Sequence, residues 1–345
     1  MRHAPQGSEC EIRPYRVEDE GEVLDLLSVT LGSGPAGRRS PEFFRWKHWE
    51  NPFGPSYVLV AEADGRIVGL RAFMRWTFCS GDRMVPAVRA VDTATHPDYQ
   101  SKGIFSRLTR EAVDALRGDV DLIFNTPNEK SLPGYLKMGW SVVGKIPISV
   151  RIRRLPRVVG GLRDLRKAAP SDQLGPIVDA ESAMDVLTDP GIGSLLEEAS
   201  AASDARFATP KGGKYLRWRY GTASLVDYRG IREHSGGALT GVALFRVRPR
   251  GRLWESTVAE VIVRPGDAGT ARRLIRHIVE AASVDHLTCH FPPGSIARRG
   301  ARRAGFLPAP GGMTFVVNQL SQGRLRPHPY EPASWALTLG DLEVF

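Results

Sequence analysis

Apolar and polar residues alternate along YVLVAEADGRIVGLRAFM, residues 57–74, and the alternation turns on Asp64-Gly65. Such a pair tolerates the left-handed conformations of a two-residue turn, so the segment predicts a β-hairpin. Ahead of it, EDEGEVLDLLSVTL spaces its apolar residues at helical intervals and opens with acids suited to the positive end of a helix dipole. SPEFFRWKHW predicts a second helix with Ser40 as N-cap and Pro41 at the first helical position. EIRPYR reads as a strand before both. After the hairpin come an extended run VPAVRAVDTATH, a helix from about Gly103 to Leu116, a short strand in DLIFNTP, a helix in NEKSLPGYLKMGW and strands in WSVVGKIPISVRI. This order predicts a mixed, largely antiparallel α/β layer, not a doubly wound parallel sheet.

The pattern occurs twice. Arg45-Trp46 recurs at Arg217-Trp218, and GLRAF at 69–73 is echoed by GVALF at 241–245, both 172 residues on. Gly103, Leu108, Val113, Pro127 and Gly139 then pair with Gly269, Leu274, Val279, Pro293 and Gly305 at a constant offset of 166. A fixed offset over such a stretch predicts one fold used twice. The length of 345 residues suits two domains. The expected division is a first domain at 1–150, a basic Pro/Gly-containing linker at 151–205, a second domain at 206–320, and a tail at 321–345 that packs on the domains.

Composition narrows the function classes. With 42% hydrophobic and 25% charged residues the chain is an ordinary globular protein. No apolar run reaches the ~18 to 20 residues of a membrane span, and MRHAPQGSEC has no apolar h-region. Cys10, Cys79 and Cys289 lack ligand or disulfide spacing, so neither a structural metal nor a disulfide is expected, and a reducing cytoplasm fits. The net charge of +9 is carried mainly by arginine; its densest cluster, RIRRLPRVVGGLRDLRK at 151–167, reads as a connector rather than a groove-reading helix.

The candidate chemistry lies in THPDYQSKGIFSRL, residues 95–108, where a strand passes through a glycine turn into a helix. A helix start offers unpaired N–H groups and a positive dipole end to an anion. About 25 residues on, NEKSLPGYLKMGW places Asn128, Ser131, Tyr135, Gly139 and Trp140 in fixed order. Together the two stretches resemble the GNAT acetyltransferase superfamily. Gln100-Ser101-Lys102-Gly103-Ile104 matches its acetyl-CoA loop up to the last small position, where Phe105 stands instead, and the second stretch matches its Asn, small residue, Tyr, Gly-aromatic signature. The resemblance covers roughly 11–150 and, through the repeat, about 206–320. It implies two tandem GNAT-like α/β domains, each a mixed, largely antiparallel sheet flanked by helices, the second degenerate.

By that resemblance, backbone N–H groups of Gln100, Ser101, Lys102, Gly103, Ile104 and Phe105 hold the CoA pyrophosphate. Thr93 and Thr95 face the pantetheine arm, and Asn128 and Ser131 contact it. Tyr135 is the general acid that protonates the departing thiolate. For the base the sequence offers Asp92 on the strand before the loop, with Glu129 and His96 as weaker candidates. The carboxylate of Phe345 is a further one, since tandem acetyltransferases of the enhanced-intracellular-survival type place a terminal carboxylate in the active site. Under the 166 offset Gln100, Asn128 and Tyr135 fall on Gly266, Gly294 and Ala301, so the second copy lacks the acid. Gly269-Thr270-Ala271 leaves weak CoA binding there open, and Tyr220, Tyr228, His234 and Trp254 are candidate pocket residues. The expected activity is metal-free transfer of an acetyl or other acyl group from acetyl-CoA to a small amine. The alternatives are an aminoacyl-tRNA-dependent Fem-like transferase, which the basic 151–167 stretch favours, and a non-catalytic CoA-binding protein.

Overall fold

A computed structural model describes residues 10–31, 40–161, 176–201, 205–223 and 226–342. Two seven-stranded mixed sheets organise them. The first half runs β1 (Glu11–Pro14), α1 (Glu20–Leu31), α2 (Pro41–His48), β2 (Tyr57–Ala63), β3 (Arg66–Ser80), β4 (Arg83–Thr95), α3 (Ile104–Leu116), β5 (Leu122–Asn125), α4 (Leu132–Lys137) and β6 (Ser141–Ile146). The local signals act as read: Ser40 caps α2 by accepting from the Phe43 N–H at 3.2 Å, and Asp64 and Gly65 both take positive φ in the β2–β3 turn.

The second half repeats this plan. It runs β7 (Ser149–Ile152), α5 (Leu155–Gly161), β8 (Glu181–Ser182), α6 (Ala183–Leu187), α7 (Ile192–Ala201), α8 (Gly213–Leu216), β9 (Tyr228–Ser235), β10 (Ala238–Arg250), β11 (Leu253–Val263), α9 (Ala268–Ala281), β12 (His286–Cys289), α10 (Ile296–Arg303), β13 (Leu307–Pro308), β14 (Met313–Gln319) and α11 (Leu339–Leu342). In both halves one strand must let the following helix lie close. A Cβ on Gly69 of β3 would fall 2.8 Å from Ile104 of α3, and one on Gly241 of β10 would fall 2.8 Å from Thr270 of α9. Trp46 and Trp218, the repeated tryptophans, stack at 5.1 Å. Each indole N–H donates to the other's backbone carbonyl, at 2.8 and 2.9 Å. This reciprocity ties the halves through one core that draws residues from both sheets.

The expected domain limits do not coincide with the sheets. The first sheet is ordered β1-β2-β3-β4-β5-β14-β6 and the second β13-β7-β12-β11-β10-β9-β8, so the second half lends β14 to the first sheet, and β7, which begins within the expected first domain, belongs to the second. Val316 of β14 sits opposite Asn125, while Ser149 of β7 sits opposite Cys289. The stretch expected as a linker also contains β8, which pairs with β9 as β1 pairs with β2, and the helices α6 and α7. Its basic residues are used structurally: Arg153 donates to the carbonyls of Val279 and Ala282 at the C-terminal end of α9, and Arg154 and Arg157 lie 3.7 and 3.4 Å from the Asp285 carboxylate. Cations at a helix C-terminus satisfy its last carbonyls and its dipole. Residues 162–167 of the cluster lie outside the described residues. Among those described, no helix is long and apolar enough to cross a membrane.

Candidate active site

β4 and β5 run parallel and hydrogen-bond only from Ala87–Leu122 to Arg89–Phe124. Beyond that point they part, and β4 continues with β3 as its partner. The register of that pair slips between Arg71 and Ala72, which face Thr93 and Val91, so Asp92 is the extra residue of a β-bulge. The parted strands open a wedge toward the loop that leads into α3.

In that loop Ser101 and Gly103 both adopt positive φ, 63° and 76°. Gly103 is the N-cap of α3, and no side chain caps the helix. The backbone N–H groups that a helix leaves unpaired in its first turn are therefore unobstructed by any cap. Gln100 turns back and donates from its amide to the Thr95 carbonyl at 3.3 Å, and Lys102 lies over the Tyr99 ring at 4.6 Å. The second copy differs at the same place. Asp267 caps α9 by accepting from the Thr270 N–H at 2.9 Å and the Thr270 hydroxyl at 2.6 Å. Those hydrogen bonds hold its carboxyl below the usual carboxylate range. A carboxylate fixed at a helix start repels an approaching phosphate, so the Gly269-Thr270-Ala271 loop differs electrostatically from the uncapped start of α3.

Tyr135 is 3% exposed and held edge-on by Phe105 at 5.8 Å and Trp140 at 5.3 Å. Its hydroxyl oxygen accepts from Arg71 Nη2 at 2.9 Å, and the same guanidinium donates to the Val91 carbonyl at 3.2 Å. One cation thus joins the candidate acid to the bulged edge of β4. Arg71 is fully buried; the rings of Phe73, Phe105 and Tyr135 lie 4.6, 5.5 and 5.4 Å from its carbon centre. Because arginine fills the acceptor side of the phenol oxygen, the hydroxyl proton is left to point elsewhere. The Phe105 ring packs toward Gly134 of α4, not toward the loop, so the bulky residue in the small-residue position leaves the backbone approach open.

Other sequence candidates fall differently. Asp92 is a correction: its carboxylate turns to α2, 2.8 Å from the Lys47 ammonium and 3.0 Å from His48 Nε2, with 3% of its side chain exposed. His48 Nδ1 in turn lies 2.9 Å from the Ser56 hydroxyl. A carboxylate engaged by a buried cation is a structural counterion, not a base open to substrate. Asn128 folds on itself, its side-chain oxygen accepting from the N–H groups of Lys130 and Ser131 at 3.0 and 2.9 Å, and Ser131 donates its hydroxyl to that oxygen at 3.1 Å. Both serve the turn that starts α4. Thr93 donates weakly to the Leu70 carbonyl at 3.4 Å. Glu129 is exposed and His96 caps the turn after β4. Tyr220 donates to Glu260 at 2.9 Å, Tyr228 is buried, His234 lies 3.1 Å from Asp189, and Trp254 packs on the second domain's outer core; none lines the cavity described next. Phe345 lies outside the described residues.

A cavity of about 410 Å³ opens between the halves, walled by Arg89, Ala90 and Val91 of β4, by Asn125 at the end of β5, and by α11. Arg89 crosses it to the tail, donating to the carbonyls of Asp341 and of Leu342, the latter at 2.6 Å. Arg219 donates to the Gly340 carbonyl at 3.1 Å. The Thr338 hydroxyl donates to Glu260 at 2.7 Å, and Lys211 pairs with that same glutamate. Gly340 is tightly enclosed: a Cβ would meet the Tyr220 hydroxyl at 2.0 Å and Glu260 at 2.7 Å. Gly340→Ala is therefore expected to displace α11 and to lower stability by about 1–3 kcal/mol, the usual cost of overpacking, as read by denaturant unfolding. The sequence alone does not single out Arg71 and Arg89 as site residues. The available signal was the repeat, which sets Arg71 of GLRAF against Ala243 of GVALF.

The parted β4 and β5, the uncapped helix after them and the tyrosine that Arg71 ties to β4 lie in one part of the first half. Residues 11–143 match the family model described as an acetyltransferase (GNAT) domain. That stretch is similar to a GNAT acetyltransferase domain, and the whole has a tandem GNAT-like fold. It is similar in structure to a GCN5-related N-acetyltransferase from Anabaena variabilis ATCC 29413, with TM-score 0.59 and 11% identity over 91% of this chain and 73% of that one. It is similar to Saccharomyces cerevisiae N-myristoyltransferase with bound myristoyl-CoA, with TM-score 0.59 and 11% identity over 96% of this chain and 90% of that one. Eis1 from Mycobacterium abscessus gives TM-score 0.54 and 15% identity over 90% and 73%. At these identities the likeness is one of fold. No curated protein matches the chain.

Proposed function

We propose that the protein is an acyl-CoA-dependent N-acyltransferase that acylates a small amine by direct attack in a ternary complex. The observation that carries this reading is the uncapped, αL-entered start of α3 beside the parted β4 and β5, with the Tyr135 hydroxyl anchored by Arg71 at the same opening. The residues present fit a CoA: main-chain donors from Gln100 to Phe105 would hold its pyrophosphate with no side chain in the way. Bound acyl-CoA would supply an activated acyl group, a thioester whose C–S bond breaks as the acceptor's C–N bond forms. Tyr135 holds a proton on its phenol oxygen for the leaving sulfur, and Arg71 stabilises the negative charge that builds on that oxygen as the proton departs. A proton lost from the amine restores the balance. The acyl group is proposed to be acetyl, and the acceptor an amine such as an amino sugar, an antibiotic or a metabolite.

The reading is tested by incubating the protein with acetyl-CoA and a panel of amines and following thiol release and product mass. Acetylated amine is expected from the full chain. The absence of thiol release and of acetylated product across the panel would overturn the reading.

A further inference from the structure

The two halves differ at three positions that pack together. In the first half Arg71, Phe105 and Tyr135 form one unit, the guanidinium carbon lying 5.5 and 5.4 Å from the Phe105 and Tyr135 rings. At the repeat offsets of 172 and 166 these residues fall on Ala243, Ala271 and Ala301. The packing follows those offsets: a Cβ on Gly134 would meet Phe105 at 3.2 Å, and one on Gly300 would meet Ala271 at 3.1 Å. The three alanines are buried in a single apolar cluster. The second half therefore folds without an arginine, a phenylalanine or a tyrosine at these places, and the half that lacks the proposed acid lacks the arginine too.

Arg71 is a poor structural residue. It is fully buried, and among the described residues no carboxylate lies within ion-pair distance of it. Asp92, next in sequence to its partner Val91, turns to Lys47 and His48 instead. The guanidinium donates to two neutral oxygens, the Val91 carbonyl and the Tyr135 hydroxyl, and its Nε is buried with no acceptor. The rings of Phe73, Phe105 and Tyr135 attract it through their quadrupoles but bring no charge. A buried charge is costly unless it is paired. A cation kept in this state at one site and replaced by alanine at its twin points to a negative charge that arrives with the ligand.

Under the acyltransferase reading the donor itself supplies that charge. The sulfur of an acyl-CoA is neutral, whereas the sulfur of released CoA belongs to a thiol that ionises at about pH 8.5. Arg71 is enclosed and does not reach the ligand. Its Nη2 fills one side of the Tyr135 oxygen, which aims the phenol proton away from it and, by polarising the O–H bond, makes that proton a stronger hydrogen-bond donor. We infer that Arg71 is a positioning residue that acts through the Tyr135 hydroxyl to make the site complementary to the CoA thiolate rather than to the thioester, so that released CoA binds more tightly than acetyl-CoA and inhibits the enzyme as a product. The inference rests on the acyltransferase reading and adds a regulation to that site. Binding a charged sulfur better than a neutral one is also what accelerates the step that expels it. Phe105 belongs to the same device: the ring that stands where a small residue is expected helps enclose the guanidinium, and charge acts further in a dry setting.

The test is calorimetric titration of the full chain at about pH 8.5, where much of the thiol is ionised, with acetyl-CoA, with CoA and with desulfo-CoA, which lacks the sulfur. The parent is expected to bind CoA about ten-fold or more tighter than desulfo-CoA, the worth of one charge-assisted hydrogen bond, and tighter than acetyl-CoA. Arg71→Met is expected to fold, since Ala243 shows that this place accepts an apolar side chain, and to bring CoA level with desulfo-CoA. Arg71→Gln, neutral but still able to donate to Tyr135, is expected to lose the preference as well and carries the test should the methionine variant not fold. A parent that binds CoA no more tightly than desulfo-CoA or acetyl-CoA, or a folded neutral variant that keeps the preference, overturns the inference. Either result spares the acyltransferase reading as long as acetyl-CoA binds. Binding of none of the three sinks that reading and the inference with it.

Discussion

Tyr135→Phe is expected to slow acyl transfer by about 100- to 10,000-fold, the range attributed to a positioned general acid, while leaving acetyl-CoA affinity unchanged. The ring is wedged between Phe105 and Trp140 and is 3% exposed, so phenylalanine fills the same space and only the hydroxyl is lost. Arg71 Nη2 loses its acceptor, and a buried donor left unmade costs about 1–3 kcal/mol; the variant should therefore be slightly less stable but folded. Rate per folded molecule separates the two effects. A Tyr135→Phe protein with the parent rate would show that the hydroxyl serves only to hold Arg71.

Asp92→Asn is expected to act on stability instead. Lys47 is 2% exposed and His48 fully buried, and the aspartate lies 2.8 Å from the Lys47 ammonium. Breaking a buried ion pair by removing one partner costs about 3–5 kcal/mol. The lowered midpoint should appear in urea unfolding, and activity at low temperature, where the variant remains folded, should persist. The converse pattern, normal stability with transfer abolished and its dependence on pH changed, would restore Asp92 as the base.

Much of the first half was legible because its signals are local. Asp64-Gly65 sets the hairpin, Ser40-Pro41 starts α2, and Gly103 enters α3 in the left-handed conformation that a side chain disfavours. The repeat was legible for a similar reason, since Gly69 and Gly241 each meet a helix that a Cβ would push away. The placement of β14 and β7 was not legible. Nothing within MTFVVNQ or SVRI shows that β14 belongs beside Asn125 or β7 beside Cys289, because the pairing partners lie far along the chain. Asp92 misled for another reason: a strand's alternation assigns its residues to faces, and the bulge at this residue resets that assignment. The arginines of the cavity were hidden in a composition rich in arginine, and only the meeting of two sheets distinguishes Arg89 and Arg246 from surface charge.

The central claim is that the start of α3 is an anion cradle for CoA and that the start of α9 is not. Calorimetric titration with acetyl-CoA tests it directly, with Gly103→Glu as the paired variant. Gly103 has φ of 76° and open space where a Cβ would stand, so the substitution strains one turn and sets a carboxylate at the helix start without a steric clash. The account predicts saturation at one acetyl-CoA per chain for the parent and loss of that binding in the variant. An absence of binding in the parent, two sites per chain, or equal affinity in Gly103→Glu would contradict it.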